Sequence, residues 1–140
     1  MSLSEKIKIY HREKINDSRG WFLKIMNGHE ENLPDYTGEI YITVANPGET
    51  KGEHYHLLAN EWFTLLKGKC RLYLLDLVDS STEQLELDAE YPVTVFVPSN
   101  IAHAFKNIST EDDFILAAYS DQYYDGSDTI SYKFNLGRSV

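Results

Sequence analysis

Cysteine is almost missing from this chain: Cys70 is the only one in 140 residues. That excludes a disulfide framework and fits a reducing compartment. Apolar runs of about 18 residues, the length of a membrane-spanning helix, do not occur. The opening stretch, MSLSEKIKIYHREK, is charged throughout and lacks the apolar middle of a secretory signal. The expectation is therefore a cytoplasmic protein with no membrane partner. Basic side chains are scarce beside acidic ones, 13 against 22, for a net charge of -9. Nucleic-acid binding needs clustered Lys and Arg, so that class is excluded. Sustained helical periodicity, internal repeats and low-complexity linkers are lacking too.

What the chain does have is strand-forming residues. Ten Tyr, six Phe and two Trp, with many Val, Ile and Thr, suit a pleated, half-buried surface. GEIYITVAN alternates Ile40, Ile42 and Val44 against Tyr41, Thr43 and Ala45. EWFTLLKGKCRLYLLDL predicts two strands, Glu61–Leu66 and Cys70–Leu77, joined by a tight turn at Lys67-Gly68-Lys69. QLELDAEY, VTVFVP and FILAAYS add further short runs between turn-forming clusters, and Thr129–Phe134 is expected as a last strand. Such a rhythm points to an all-β sandwich or barrel, read as one domain over residues 1–140. Cys70, in mid-strand with no base beside it, reads as a buried small hydrophobe.

The most informative stretch runs from Gly48 to Gly68. His54 and His56 are two apart, so on a strand both imidazoles leave one face, about 7 Å apart at their roots. Leu57 to Asn60 is long enough to turn the chain, and Glu61 is expected to open the neighbouring antiparallel strand beside the pair. Imidazoles and a carboxylate are ligand types that Zn, Mn, Fe or Ni accept. His103, in PSNIAHAFKN, is a fourth candidate.

These positions resemble the first motif of the cupins, G-x5-H-x-H-x4-E-x6-G, filled by Gly48, His54, His56, Glu61 and Gly68. Pro98, His103 and Asn107 match the second, G-x5-P-x-G-x2-H-x3-N, whose two glycine places hold Pro92 and Asn100. Asn tolerates a positive φ, so Asn100 can still make the turn, whereas Pro92 cannot replace its glycine. The resemblance implies a cupin-type β-barrel, a double-stranded β-helix or jelly roll, holding a divalent metal on His54, His56, Glu61 and His103. A narrower likeness rests on Asp17-Ser-Arg19-Gly20, on PGETKGEHYH and on Asp121-Gln-Tyr123-Tyr124-Asp125-Gly-Ser-Asp128-Thr-Ile130. These are similar to the nucleotide-sugar cupins: the dTDP-4-dehydrorhamnose 3,5-epimerases, the dTDP-4-oxo-6-deoxyglucose 3,4-ketoisomerases and the cupin domain of a capsular-polysaccharide reductase. Lys51 stands where that group usually has Arg. The ketoisomerases carry Gln at the fourth ligand place, so Glu61 points to the metal-holding branch.

That likeness implies an epimerase or ketoisomerase acting on a nucleotide-linked 4-keto-6-deoxy sugar for surface-polysaccharide synthesis, and a homodimer. Hydrogens next to a ketone are acidic because the resulting charge spreads onto oxygen, so the reaction needs a base, an acid and a partner for that oxygen. His54 is either a metal ligand or the general base, because a coordinated imidazole cannot also take up a proton. If it is a ligand, Glu53, Tyr55 or a metal-bound water is left as base. Tyr123 or Tyr124 is the acid by resemblance. Arg19, Lys51 and Arg71, with Lys24, are the candidates to meet a pyrophosphate, and Trp21, Trp62 or Phe105 to stack on the base. Rival readings are an iron-dependent oxygenase on the same ligands, a non-catalytic sugar-binding cupin and a phosphosugar isomerase.

Overall fold

A computed structural model describes residues 1–36 and 38–136. A short helix, α1 (Leu3–Lys6), closed by a Ser2–Glu5 capping box, precedes the strands. In chain order the strands are β1 (Lys8–His11), β2 (Lys14–Asp17), β3 (Gly20–Leu23), β4 (Glu39–Ala45), β5 (Thr50–Tyr55) and β6 (Glu61–Lys67). Then come β7 (Lys69–Asp76), β8 (Thr82–Asp88), β9 (Val93–Val97), β10 (Ile101–Asn107), β11 (Phe114–Ser120) and β12 (Ile130–Ser131). They form two five-stranded antiparallel sheets, ordered β1-β9-β6-β11-β4 and β12-β5-β10-β7-β8, with β2 and β3 as a separate hairpin. This is the all-β jelly roll expected. Between the sheets lie Phe63, Leu65, Leu72, Leu74, Val95, Phe105 and Leu116, all buried. Each such side chain withdrawn from water contributes about 1.5–3 kcal/mol.

Local sequence chemistry explains the turns. Gly68, at φ 89°, makes the β6–β7 turn, where any side chain would press on the Asp113 carbonyl at 3.0 Å. Asn100 adopts φ 65° and turns β9 into β10, as its tolerance for that conformation allows. Pro92 lies just ahead of β9, where its missing N–H costs no ladder bond, and its carbonyl accepts from the Arg12 amide.

Two expectations need correction, on Glu61 and on the last strand. Glu61 does not come from a strand neighbouring β5: β5 pairs with β10 and β12, and Glu61 opens β6 in the opposite sheet. The turn after His56 carries the chain across the interior instead of back along one sheet. On β4, where the alternation gave only the period, Ile40, Ile42 and Val44 face outward, with Ile40 74% exposed, while Tyr41 and Ala45 turn to the core. The last strand is only Ile130–Ser131, because β5 leaves room for two pairs, Ile130 with Tyr55 and Ser131 with His54.

A bulge in β5 decides which way its histidines point. Against β10, Ala104 is paired with Gly52 but His103 with His54, which leaves Glu53 as an extra residue. Gly52 and Glu53 both have positive φ, 91° and 60°. Without the extra residue Glu53 would oppose the buried His103, and both imidazoles of β5 would turn to the other face. Gly52 is needed because a Cβ would meet the His103 carbonyl oxygen at 3.0 Å. Replacing Gly52 by Ala is expected to destabilise the chain by about 1–3 kcal/mol. Urea unfolding measures this, and an unchanged midpoint contradicts the assignment.

Candidate metal centre and cavity

His54 and His56 arrive on β5 just past the bulge, His103 lies opposite His54 on β10, and Glu61 reaches in from β6 of the facing sheet. One ligand atom from each of the four lies within 4.8 Å of all the others. The rings crowd together, with His54 centroids 4.9 Å from both His56 and His103. Glu61 and His103 are buried at 3% and 2% exposure. The sequence-expected ligand set is thus brought to one point.

Hydrogen bonds fix which ring atoms face that point. His56 Nδ1 lies 3.0 Å from the Asp128 carbonyl oxygen and His103 Nδ1 lies 3.1 Å from that of Ile101. A carbonyl can only accept, so in both rings Nδ1 carries hydrogen and donates it. In the neutral rings Nε2 is then a bare lone pair. His56 Nε2 is 2.9 Å from Glu61 Oε1, and His103 Nε2 is 3.6 Å from the same oxygen. Neither separation is aligned as a hydrogen bond: among the described residues all three atoms are buried without a hydrogen-bond partner. Two lone pairs facing a carboxylate oxygen in a dry interior need a positive charge between them, either a proton or a cation. The donor set, three imidazoles and one carboxylate, suits a divalent metal, and carbonyl-anchored rings are the usual support of such ligands.

The electrostatics follow from burial and from this crowding. Burial, and then the neighbouring His103 and His56, pushes the His54 ring down to about 4. Burial likewise holds His103 below its ordinary value against the pull of Glu61. For His56 burial opposes the charged form, but Glu61 and Asp128 outweigh it and the pKa is raised. Burial would raise Glu61, yet His56, His103 and Tyr41 together hold it below the usual carboxylate range.

Sequence reasoning missed two supporting residues. Tyr41 donates its hydroxyl to Glu61 Oε2 at 2.7 Å, which leaves Oε1 to face the imidazoles. Its pKa is raised by burial and by the Glu61 charge. The alternation along β4 gives a period of two but not which face is buried, so it carried no signal for Tyr41. Asp128 stood only within a resemblance, and its grip on His56 spans 72 positions of sequence.

Three of the ligands, His54, His56 and Glu61, line a cavity of about 240 Å³ whose wall also includes Glu39, Tyr41, Tyr123, Tyr124 and Asp125. Tyr123 and Tyr124 are 79% and 72% exposed at its margin. The other expected contacts are not brought here: Arg19, Lys51 and Arg71 do not line the cavity. Arg19, in the β2–β3 hairpin, is paired with Asp17 at 2.7 Å, and Arg71 with Glu86 at 2.6 Å. Lys51 is exposed on β5 ahead of the bulge, and Lys24 borders a groove lined also by Trp62 and Tyr119. Glu53 and Tyr55 are also outside the cavity lining. Trp62 and Phe105 are fully buried and have no free face for a nucleobase, whereas Trp21 is half exposed.

Comparison with known proteins places this architecture. The chain is 27% identical over 105 residues to the spore coat polysaccharide biosynthesis protein SpsL of Bacillus subtilis, covering 71% of this chain and 69% of that protein. A dTDP sugar isomerase from Desulfovibrio desulfuricans superposes with a TM-score of 0.84 at 16% identity, covering 95% of this chain and 87% of that one. The dTDP-6-deoxy-D-glucose-3,5-epimerase RmlC of Legionella pneumophila, solved with dTDP-4-keto-L-rhamnose, gives 0.83 at 19% identity, over 96% and 76% of the two chains. The fold is therefore the RmlC-type cupin jelly roll. Residues 15–132 match the profile of the polysaccharide biosynthesis C-terminal domain, and the chain belongs to that family.

Proposed function

We propose that this protein is an epimerase or ketoisomerase of a nucleotide-linked 4-keto-6-deoxy sugar, working by proton abstraction next to the ketone. The observation that carries this reading is the meeting of His54, His56, Glu61 and His103, the first three of which line a cavity edged by two tyrosines. The fold shared with dTDP-sugar isomerases and epimerases supports it. The four residues would hold a divalent cation, Zn, Mn, Fe or Ni, whose contribution when bound is to polarise the ketone oxygen.

The chain's own groups supply the proton transfers. With His54 as ligand, the base must be another group in the cavity. Asp128 is occupied by three backbone amides, Asp125 accepts from Ser127, and Glu61 faces the imidazoles. Glu39 accepts one bond at Oε2, from the Tyr124 amide at 3.1 Å. Among the described residues its other oxygen accepts no hydrogen bond, and with one bond against the two that Asp125 Oδ1 accepts from Ser127 it is the less engaged carboxylate and the base of this scheme. Tyr123 or Tyr124 donates the proton on the other side of the sugar. Among the described residues the cavity lining holds no Lys or Arg, so the sugar enters while the diphosphate stays outside, with Lys51, and Arg19 and Arg71 if released from Asp17 and Glu86, as the candidates to meet it. A cytoplasmic homodimer is part of the same reading.

Two outcomes test this account. In heavy water with a dTDP- or UDP-linked 4-keto-6-deoxy sugar, deuterium is expected at C3 or C5, and Glu39→Gln is expected to slow its uptake by about 10²–10⁴-fold. Binding without exchange would leave only a sugar-binding module, and oxygen consumption would favour an oxygenase. The second outcome concerns pH. The folded His54 ring titrates near 4 against 6.5 for a free one, so the unfolded chain takes up this proton first and stability falls as pH drops through that window. Ring signals of the metal-free protein followed by NMR should place the His54 midpoint near 4, and a midpoint near 6.5 contradicts its burial.

A further inference from the structure

Asp128 ends the short 3-10 turn Gly126–Asp128, far along the chain from His54, His56 and Glu61, yet it touches the connection between His56 and Glu61 at three places and His56 itself at a fourth. Its Oδ1 accepts from the amides of Leu57 and Leu58 at 2.9 and 3.0 Å, and its Oδ2 from Ala59 at 3.1 Å. Those residues form the crossing between His56 and Glu61, the step from one sheet to the other. The backbone carbonyl of Asp128 meanwhile receives His56 Nδ1–H at 3.0 Å. The residue is buried at 8% exposure, and beyond Thr129 the chain continues into Ile130 and Ser131, which pair with Tyr55 and His54.

We propose that Asp128 is the positioning residue of the metal centre, and that through it metal loading is coupled to the seating of the tyrosine-bearing wall, residues 123–129. The inference rests on the metal reading of His54, His56, Glu61 and His103. One carboxylate accepting three successive amides fixes the length and path of the crossing, and so the distance at which Glu61 meets His56. The carbonyl fixes the tautomer that turns Nε2 inward. Both contacts come from the segment that carries Tyr123 and Tyr124 to the cavity margin. An ion drawing His56 and Glu61 together therefore tightens the turn that Asp128 holds, and the wall with it. A lost grip loosens ligand and wall together.

The test is zinc binding to the metal-free protein by calorimetry, together with amide hydrogen exchange, at a temperature where every variant is folded. Asp128→Asn keeps the shape but turns an N–H toward the amides, and is expected to weaken zinc binding about 10–100-fold. Asp76→Asn is the control: Asp76 is also buried, holds Lys6 at 2.6 Å and is hydrogen-bonded to none of the four ligands. It is expected to lower thermal stability while leaving zinc affinity intact. In the unmodified protein zinc is expected to slow exchange at residues 57–59 and 123–129 alike, an arm that needs no variant to fold. Zinc affinity unchanged in Asp128→Asn, an equal loss in Asp76→Asn, or unaltered exchange at 123–129 overturns the proposal while leaving the metal reading intact. An unmodified protein that takes no metal overturns that reading and this inference together.

Discussion

Two imidazole lone pairs and a carboxylate oxygen, each buried and each without a hydrogen-bond partner, are aimed at one place inside this protein. Such an arrangement is unfavourable unless positive charge occupies the place, and much of the surrounding architecture serves to hold it. The ring orientations are set by backbone carbonyls. The carboxylate is held from behind by Tyr41. The raised pKa of His56 and the lowered one of Glu61 describe a site that, without a metal, draws a proton into the same position. A metal at that place would compete with the proton, so its affinity would weaken in acid.

The sandwich divides the work between its sheets. One brings the three histidines, the other brings Glu61 and Tyr41, so the centre ties the two layers together at one end of a shared apolar core. The bulge at Gly52-Glu53 is a local departure from strand regularity that turns the histidines inward. Backbone strain and function coincide there, as expected where a strand must re-aim its side chains. Above the centre the cavity wall is acidic and aromatic, which suits the hydroxyls of a sugar better than its phosphates.

Much of this was legible in the sequence, and the exceptions have physical causes. The H-x-H spacing, Glu61 at its fixed offset, and His103 could be read because local spacing governs where a strand presents its residues. The turn at Asn100 followed from side-chain tolerance of positive φ, and the structure has it at 65°. The sheet membership of Glu61 could not be read, since a four-residue connection can either reverse along one sheet or cross to the other. Nor could the outward apolar face of β4, because alternation gives the period but not which side is covered. Tyr41 and Asp128 act across 20 and about 70 positions of sequence, and such pairings depend on the register of distant strands.

We propose that these four side chains hold one divalent cation. Cobalt titration of the metal-free protein, followed by visible absorption, tests it most directly. The account predicts saturation at one equivalent per chain, with imidazole-and-carboxylate ligand-field bands that disappear when His56→Ala and Glu61→Gln are combined. A titration without saturation, or a spectrum that survives the double substitution, would contradict it.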